Sequence, residues 1–133
     1  IDDDTDIVLI HDGARPLIEQ QLIDDSIVLC ESQDAVVAAV KVKPTIKEID
    51  KDLFVGKTLD REKLWEIQTP QVFKKELIFK AYDQKIEKTP TDDSSLVEKL
   101  GVKVKIIEGD YRNIKVTTKE DLVIAEALLK NKE

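Results

Sequence analysis

Asp12, Arg15, Arg61, Thr91 and Lys115 are the residues of this sequence whose types and places best suit them to chemistry. A carboxylate at Asp12 can accept a hydrogen bond from a hydroxyl or help hold a hydrated divalent ion, and Gly13 beside it lets a ligand approach the backbone closely. The guanidinium of Arg61 is a planar fork suited to bidentate capture of phosphate. Thr91 to Ser94 offer hydroxyls and backbone donors at a helix start, a place where an anion can sit. Lys115 leaves an apolar run just before another helix start. Each residue also has a plainer reading. Asp12 and Arg15 can satisfy each other, Arg61 can pair with Asp60 on the surface, Thr91 to Ser94 can simply cap a helix, and Lys115 can be solvated. His11 reads as a hydrogen-bonded structural residue. Together, however, all five stand at element ends, and three are cations in a chain of net charge −7. That pattern is the one expected of a site for a phosphate-bearing small molecule.

The elements that must position these residues follow from hydrophobic periodicity. Ile7 to Ile10 is a continuous apolar run ending in His11-Asp12-Gly13, which predicts a buried parallel strand with polar residues at its carboxyl end, where α/β sheets bind ligands. Glu19 to Ser32 has a helical period, with Cys30 as a small core hydrophobe. Ala35 to Val40 is a second apolar run, so a strand-helix-strand unit opens a parallel sheet. Residues 41–66 alternate and turn polar, which predicts a β-hairpin excursion that packs on something else, such as a second subunit. In Gln68-Thr69-Pro70-Gln71 the proline removes a donor and restricts Thr69, so no regular element is expected to run through it. It reads as a structural corner or as part of a site. Lys74 to Glu87 predicts an amphipathic helix with Ile86 on its apolar side. A short helix over Ser95 to Leu100 follows, with a Ser95/Glu98 capping box and Gly101 as its stop. Val102 to Ile107 and Asn113 to Val116 read as strands. A last helix follows a Thr117/Glu120 capping box.

Composition sets the limits. The 133 residues are 41% hydrophobic and 37% charged, which suits one soluble globular domain. The acidic balance argues against a nucleic-acid partner, which would want a basic face. No apolar run approaches the roughly 20 residues of a membrane span, and no secretory leader opens the chain, so the cytoplasm is the expected compartment. A single Cys and a single His exclude an internal disulfide and a soft metal-ligand cluster.

The motifs H-D-G-A-R-P, K-P-T-I-K, L-D-R-E-K-L-W-E-I-Q-T-P-Q-V-F, T-D-D-S-S-L-V-E-K-L-G and N-I-K-V-T-T-K-E-D-L occur in that order. With them the sequence resembles the 2-C-methyl-D-erythritol 4-phosphate cytidylyltransferase family over essentially its whole length. The resemblance implies an α/β fold, a Rossmann-like nucleotidyltransferase sheet with helices on both faces and a protruding β-hairpin arm at about 41–66. It implies transfer of CMP from CTP to 2-C-methyl-D-erythritol 4-phosphate with release of pyrophosphate, in non-mevalonate isoprenoid precursor synthesis. It also implies Mg2+ bound mainly through the CTP phosphates, with no protein metal ligand, and a homodimer formed by exchange of arms. Carried over motif by motif, Arg61 and Lys115 become catalytic and Asp12, Arg15, Thr45, Thr69 and Thr91 contact the substrate. Gly13 lies near the nucleotide. Thr45 and Arg61 would act in the partner's site. The family's glycine-rich loop, whose Arg and Lys bind CTP phosphates, has no counterpart ahead of His11. Residues 1–133 are therefore expected to be the C-terminal part of a single nucleotidyltransferase domain, inactive alone. The alternatives are a ribitol 5-phosphate cytidylyltransferase and a noncatalytic dimerisation or binding module.

Overall fold

Two apolar faces of one sheet organise the molecule. The structure, a computed structural model, describes residues 1–85 and 88–131. Strand β1 (Ile7–Ile10) alternates across the sheet: Ile7 and Leu9 join Cys30, Val36 and Val72, while Val8 and Ile10 join Ala35, Phe73, Ile78, Leu96 and Val97. Strand β2 (Ala35–Lys41) is buried from Ala35 to Val40, as a strand covered on both faces must be. Helix α1 (Gln20–Gln33) brings Cys30 to the first face. Helices α2 (Lys75–Asp83) and α3 (Asp93–Lys99) cover the second with Ile78, Ala81, Leu96 and Val97. The result is a mixed sheet with helices on both faces, as the resemblance implies. Phe73 and Leu96, both fully buried, each contribute on the order of 2–3 kcal/mol of burial.

The sheet order is β1-β5-β2-β6, where β5 is Trp65–Lys74 and β6 is Lys105–Glu108. β5 runs antiparallel to both β1 and β2, while β2 and β6 are parallel. The expected parallel neighbour of β1 is thus not β2: the two share a direction, but β5 lies between them. β1 stands at the end of the sheet and is half-buried rather than fully buried.

A second correction concerns Pro70. A strand does run through it, because the pairing is relaxed there. Val37 faces Gln71 and Ala39 faces Ile67, so the single residue Ala38 is opposed by Gln68, Thr69 and the cis-linked Pro70. This bulge takes Q-T-P out of the ladder, so a residue without an N–H costs no ladder bond. Gln68 and Pro70 are buried and Thr69 is half-buried.

The excursion is a separate two-stranded sheet, β3 (Lys47–Ile49) with β4 (Val55–Thr58). All of its residues are exposed, including Ile49, Leu53, Phe54 and Val55. Other boundaries shift for local reasons. α2 ends at Asp83, short of the expected end at Glu87; Ile86 and Glu87 lie outside the described residues. α3 begins at Asp93 because Asp92, not Ser95, caps it, accepting from the Ser95 N–H. Gly101 follows α3 with φ +81, as expected of the stop. β6 starts at Lys105, three residues later than expected, and Asn113 to Val116 forms no strand. The last helix, α4 (Lys119–Lys130), is capped one residue later than expected, by the Thr118/Asp121 box.

Candidate functional site

The turn after β1 is held shut by four short bonds. The Arg15 N–H donates to the Asp12 carbonyl at 3.0 Å, closing residues 12–15. His11 Nε2 lies 2.9 Å from the Arg15 carbonyl, an acceptor only, so that nitrogen carries the proton. In the neutral ring Nδ1 is then the acceptor, and it takes the hydroxyl proton of Thr69 at 2.9 Å. The same Thr69 oxygen accepts the Asp12 N–H at 3.0 Å. The hydroxyl proton of Thr69 is therefore spent inside the fold, and what Thr69 does is orient Asp12. Gly13 is exposed on the outer side of the turn, and a Cβ there would meet nothing. The space is open to a ligand, though sterics alone do not demand glycine.

Asp12 and Arg15 do pair, but not with each other alone. Arg15 Nε lies 3.3 Å from Asp12 Oδ2, its Nη1 donates to the Asn113 carbonyl at 2.7 Å, and Lys115 Nζ approaches the same Asp12 oxygen at 3.6 Å. Arg15 is the sheltered cation, with a side chain 12% exposed, whereas Asp12 at 37% and Lys115 at 51% face solvent. A cavity of about 260 Å³ opens beside them, lined by Arg15, Gln68, Tyr111, Asn113 and Lys115 among others. A carboxylate with two cations at a cavity mouth can hold a hydroxyl and an anion side by side.

Other expected site residues lie elsewhere. Thr91 is exposed and lines a separate cavity with Val37, Asp92, Ser95 and Ile106; Ile67 borders both cavities. The anion seat proposed at the start of α3 is filled by the protein's own Asp92. Its carboxylate accepts from the Ser95 N–H, the Ser94 hydroxyl and Gln71 Nε2 at 2.7–3.0 Å, so the plainer reading as a cap holds. Thr45 is exposed on the arm. Arg61 is also exposed, in a 3-10 turn at Arg61–Lys63, where Nη1 donates to the Lys43 carbonyl at 2.5 Å and ties the arm's two stems together. The structure thus brings together Asp12, Arg15, Thr69 and Lys115. Burial pushes the Cys30 thiol above its ordinary value, which suits a core residue and not a nucleophile.

A family model described as 2-C-methyl-D-erythritol 4-phosphate cytidylyltransferase matches residues 1–131. The chain belongs to that family. A protein of that name from Caldanaerobacter subterraneus subsp. tengcongensis is 53% identical over 132 residues, 98% of this chain and 58% of that protein. Another from Geobacillus thermodenitrificans is 52% identical over 126 residues, 93% of this chain and 55% of that protein. Among solved structures, 4-diphosphocytidyl-2C-methyl-D-erythritol synthase from Anaerococcus prevotii superposes with a TM-score of 0.91 at 41% identity, covering 98% of this chain and 60% of that one. The chain thus spans a little over half the length of the curated relatives it matches. The family match begins at residue 1 and takes in β1. It corrects the expectation of a C-terminal part that is inactive for want of a nucleotide loop: family sequence is matched across the chain, and inactivity does not follow.

Among the described residues no group of three or more His, Cys, Asp or Glu side chains is placed to hold a metal ion, and Asp12 is already engaged by two cations. These side chains do not fit a magnesium cage. Among the described residues no helix is long and apolar enough to cross a membrane. Sequence reasoning missed Asn113, buried at the cavity, and singled out Gln68, buried there too, only as part of a corner or a site. No periodicity marks a polar residue that turns inward from a bulge or a loop.

Proposed function

We propose that this chain carries a cytidylyltransferase site that joins CTP to 2-C-methyl-D-erythritol 4-phosphate and releases pyrophosphate. One observation carries the reading: Lys115 and Arg15, which both line one cavity, flank a half-exposed Asp12, on the motifs that mark the family. Asp12 accepts hydrogen bonds from substrate hydroxyls. Arg15 holds the Asp12 carboxylate in one orientation. Lys115, the more exposed cation, aims its charge at the substrate phosphate as one of its oxygens attacks the α-phosphorus of CTP. The work of these residues is positioning and charge neutralisation rather than covalent chemistry. Magnesium, as a cofactor held through the nucleotide's phosphates, belongs to the same proposal, as does Gly13 beside the nucleotide. The decisive assay is pyrophosphate release by the intact protein carrying these residues, with CTP and either methylerythritol phosphate or ribitol 5-phosphate. Preference for the first supports the reading. Preference for the second reassigns the substrate, and release with neither leaves a binding module.

The arm fits a homodimer. Leu53 is 77% and Phe54 71% exposed at its tip, more apolar surface than a lone hairpin keeps without a partner. Exchange of arms would carry Thr45 and Arg61 into the neighbouring site, where they would complete the phosphate contacts, with Thr91 on the alcohol. Phe54→Asp should move the protein toward monomer in sedimentation velocity and lower activity with it. A dimer unchanged by that substitution would remove the arm from the interface.

A further inference from the structure

Asp12 is not held by its own turn alone. Its N–H donates to Thr69 Oγ1 at 3.0 Å; the Thr69 carbonyl accepts Asn113 Nδ2 at 2.8 Å; the Asn113 carbonyl accepts Arg15 Nη1 at 2.7 Å; and Arg15 Nε returns to Asp12 Oδ2 at 3.3 Å. These four bonds close a ring through the β1 turn, the β5 bulge and the loop before α4. Asn113 is its deepest member at 1% exposure, and it supplies both a side-chain donor and a main-chain acceptor. It is also two residues from Lys115, the other cation on Asp12.

Gln68 braces Asn113. Its Oε1 accepts from Asn113 Nδ2 at 3.3 Å while its Nε2 donates to the Asp110 carbonyl at 3.0 Å, so one amide fixes both ends of residues 110–113. That brace passes directly over Gly109, where a Cβ would fall 2.6 Å from Gln68 Oε1. Asn113 Oδ1 is buried with no protein partner among the described residues, so the contacts of this residue in the ring are made by its NH2 group and carbonyl.

We infer that Asn113, braced by Gln68, is a positioning residue that sets the placement of Asp12 and Arg15 toward the alcohol phosphate. This rests on the function proposed above. A misplacement of about 1 Å in such a group can cost on the order of 100-fold in rate. The expected signature is selective: the change falls on the alcohol-phosphate side of the reaction and passes through Asp12.

The test uses Asn113→Ala, with Gly109→Ala as a second variant that displaces only the flexible end of Gln68 and leaves residue 113 intact. In the intact protein, either soluble variant should lower kcat/KM for the alcohol phosphate about 10- to 100-fold with KM for CTP unchanged. In an Asp12→Asn background the same change should cost less than about 3-fold, because the group it acts through is already altered. Equal losses in both backgrounds, a parallel rise in both KM values, or no effect would overturn the inference. A second readout needs no turnover. The Arg15 Nε–H should be protected from exchange in the wild-type protein and lose that protection in the variants, as followed by 15N NMR; retained protection would also overturn it. A wild-type protein that turns over neither alcohol would sink the proposed function, while the exchange data would still decide whether Asn113 fixes Arg15.

Discussion

Replacing Lys115 with alanine should separate catalysis from stability. Lys115 Nζ lies 3.6 Å from Asp12 Oδ2, with the two side chains 51% and 37% exposed. A pair so open to water contributes on the order of 0–1 kcal/mol to folding. Its loss does not strand the carboxylate either, because Arg15 Nε remains at 3.3 Å from the same oxygen. Unfolding of Lys115→Ala should therefore shift by only a few degrees, about 0–4 °C for a domain of this size. Under the proposed function, Lys115 offsets the repulsion between the attacking phosphate and those of CTP once the bound substrates have displaced water, where a pre-aimed cation is worth far more than in the open pair. Removing it should lower kcat about 100- to 1000-fold, equivalent to roughly 2.7–4 kcal/mol. Lys115→Arg keeps the charge and should recover part of the rate. The assay is steady-state pyrophosphate release at saturating alcohol phosphate, beside thermal unfolding of the same preparations. A rate within a few-fold of wild type would remove Lys115 from the reaction. A large drop in melting temperature that accounts for the lost activity would make it a structural residue instead.

Two further outcomes test the packing around the site. Asp93 accepts a hydrogen bond from the Tyr82 hydroxyl and pushes the phenol up to about 12. Because the folded value is raised above the ordinary 10.0, this contribution is complete below about pH 10 and is lost as the pH climbs through about 12. Absorbance titration should show the late-ionising tyrosine moving toward 10 in Asp93→Ala; no movement would mean the contact is absent in solution. Thr118 caps α4 through the Asp121 N–H at 3.1 Å, so Thr118→Ala should cost about 1 kcal/mol, read as a lower urea midpoint at constant m-value. An unchanged midpoint would show that the start of α4 is frayed.

Much of the fold was legible because period and burial are written in the residues themselves. Ile7 to Ile10 and Ala35 to Val40 could hardly be anything but strands of a covered sheet. Strand direction was less accessible. An apolar run reads the same whichever way it points, and only the pairing of β5 with both β1 and β2 shows that it separates them. Pro70 misled for a related reason: a proline predicts a lost donor, but not that a bulge has already excused that donor from the ladder. At the site, Asp12, Arg15 and Lys115 announced themselves as charges at element ends, and they do meet. Asn113 gave no such signal, since a polar residue at the start of an expected strand ordinarily faces solvent. Only its 1% exposure reveals that it turns inward.

The arm has one more consequence, in the order of folding. β2 and β5 form the most extensive pairing in the sheet, yet the chain between them must be closed before they can meet. A long open loop makes that closure slow. Here the loop shortens itself: β3 pairs with β4 around a turn in which the Asp50 carboxylate accepts the Asp52 and Phe54 N–H groups. Arg61 then grips the Lys43 carbonyl, and the Val42 N–H reaches the Leu64 carbonyl, one step from the first β2–β5 pair at Lys41 and Trp65. A hairpin that closes first would act as a zipper from its tip and deliver the two central strands in register. Asp50→Ala should accordingly slow refolding while leaving the unfolding rate nearly unchanged, and a change confined to unfolding would show that the hairpin forms late.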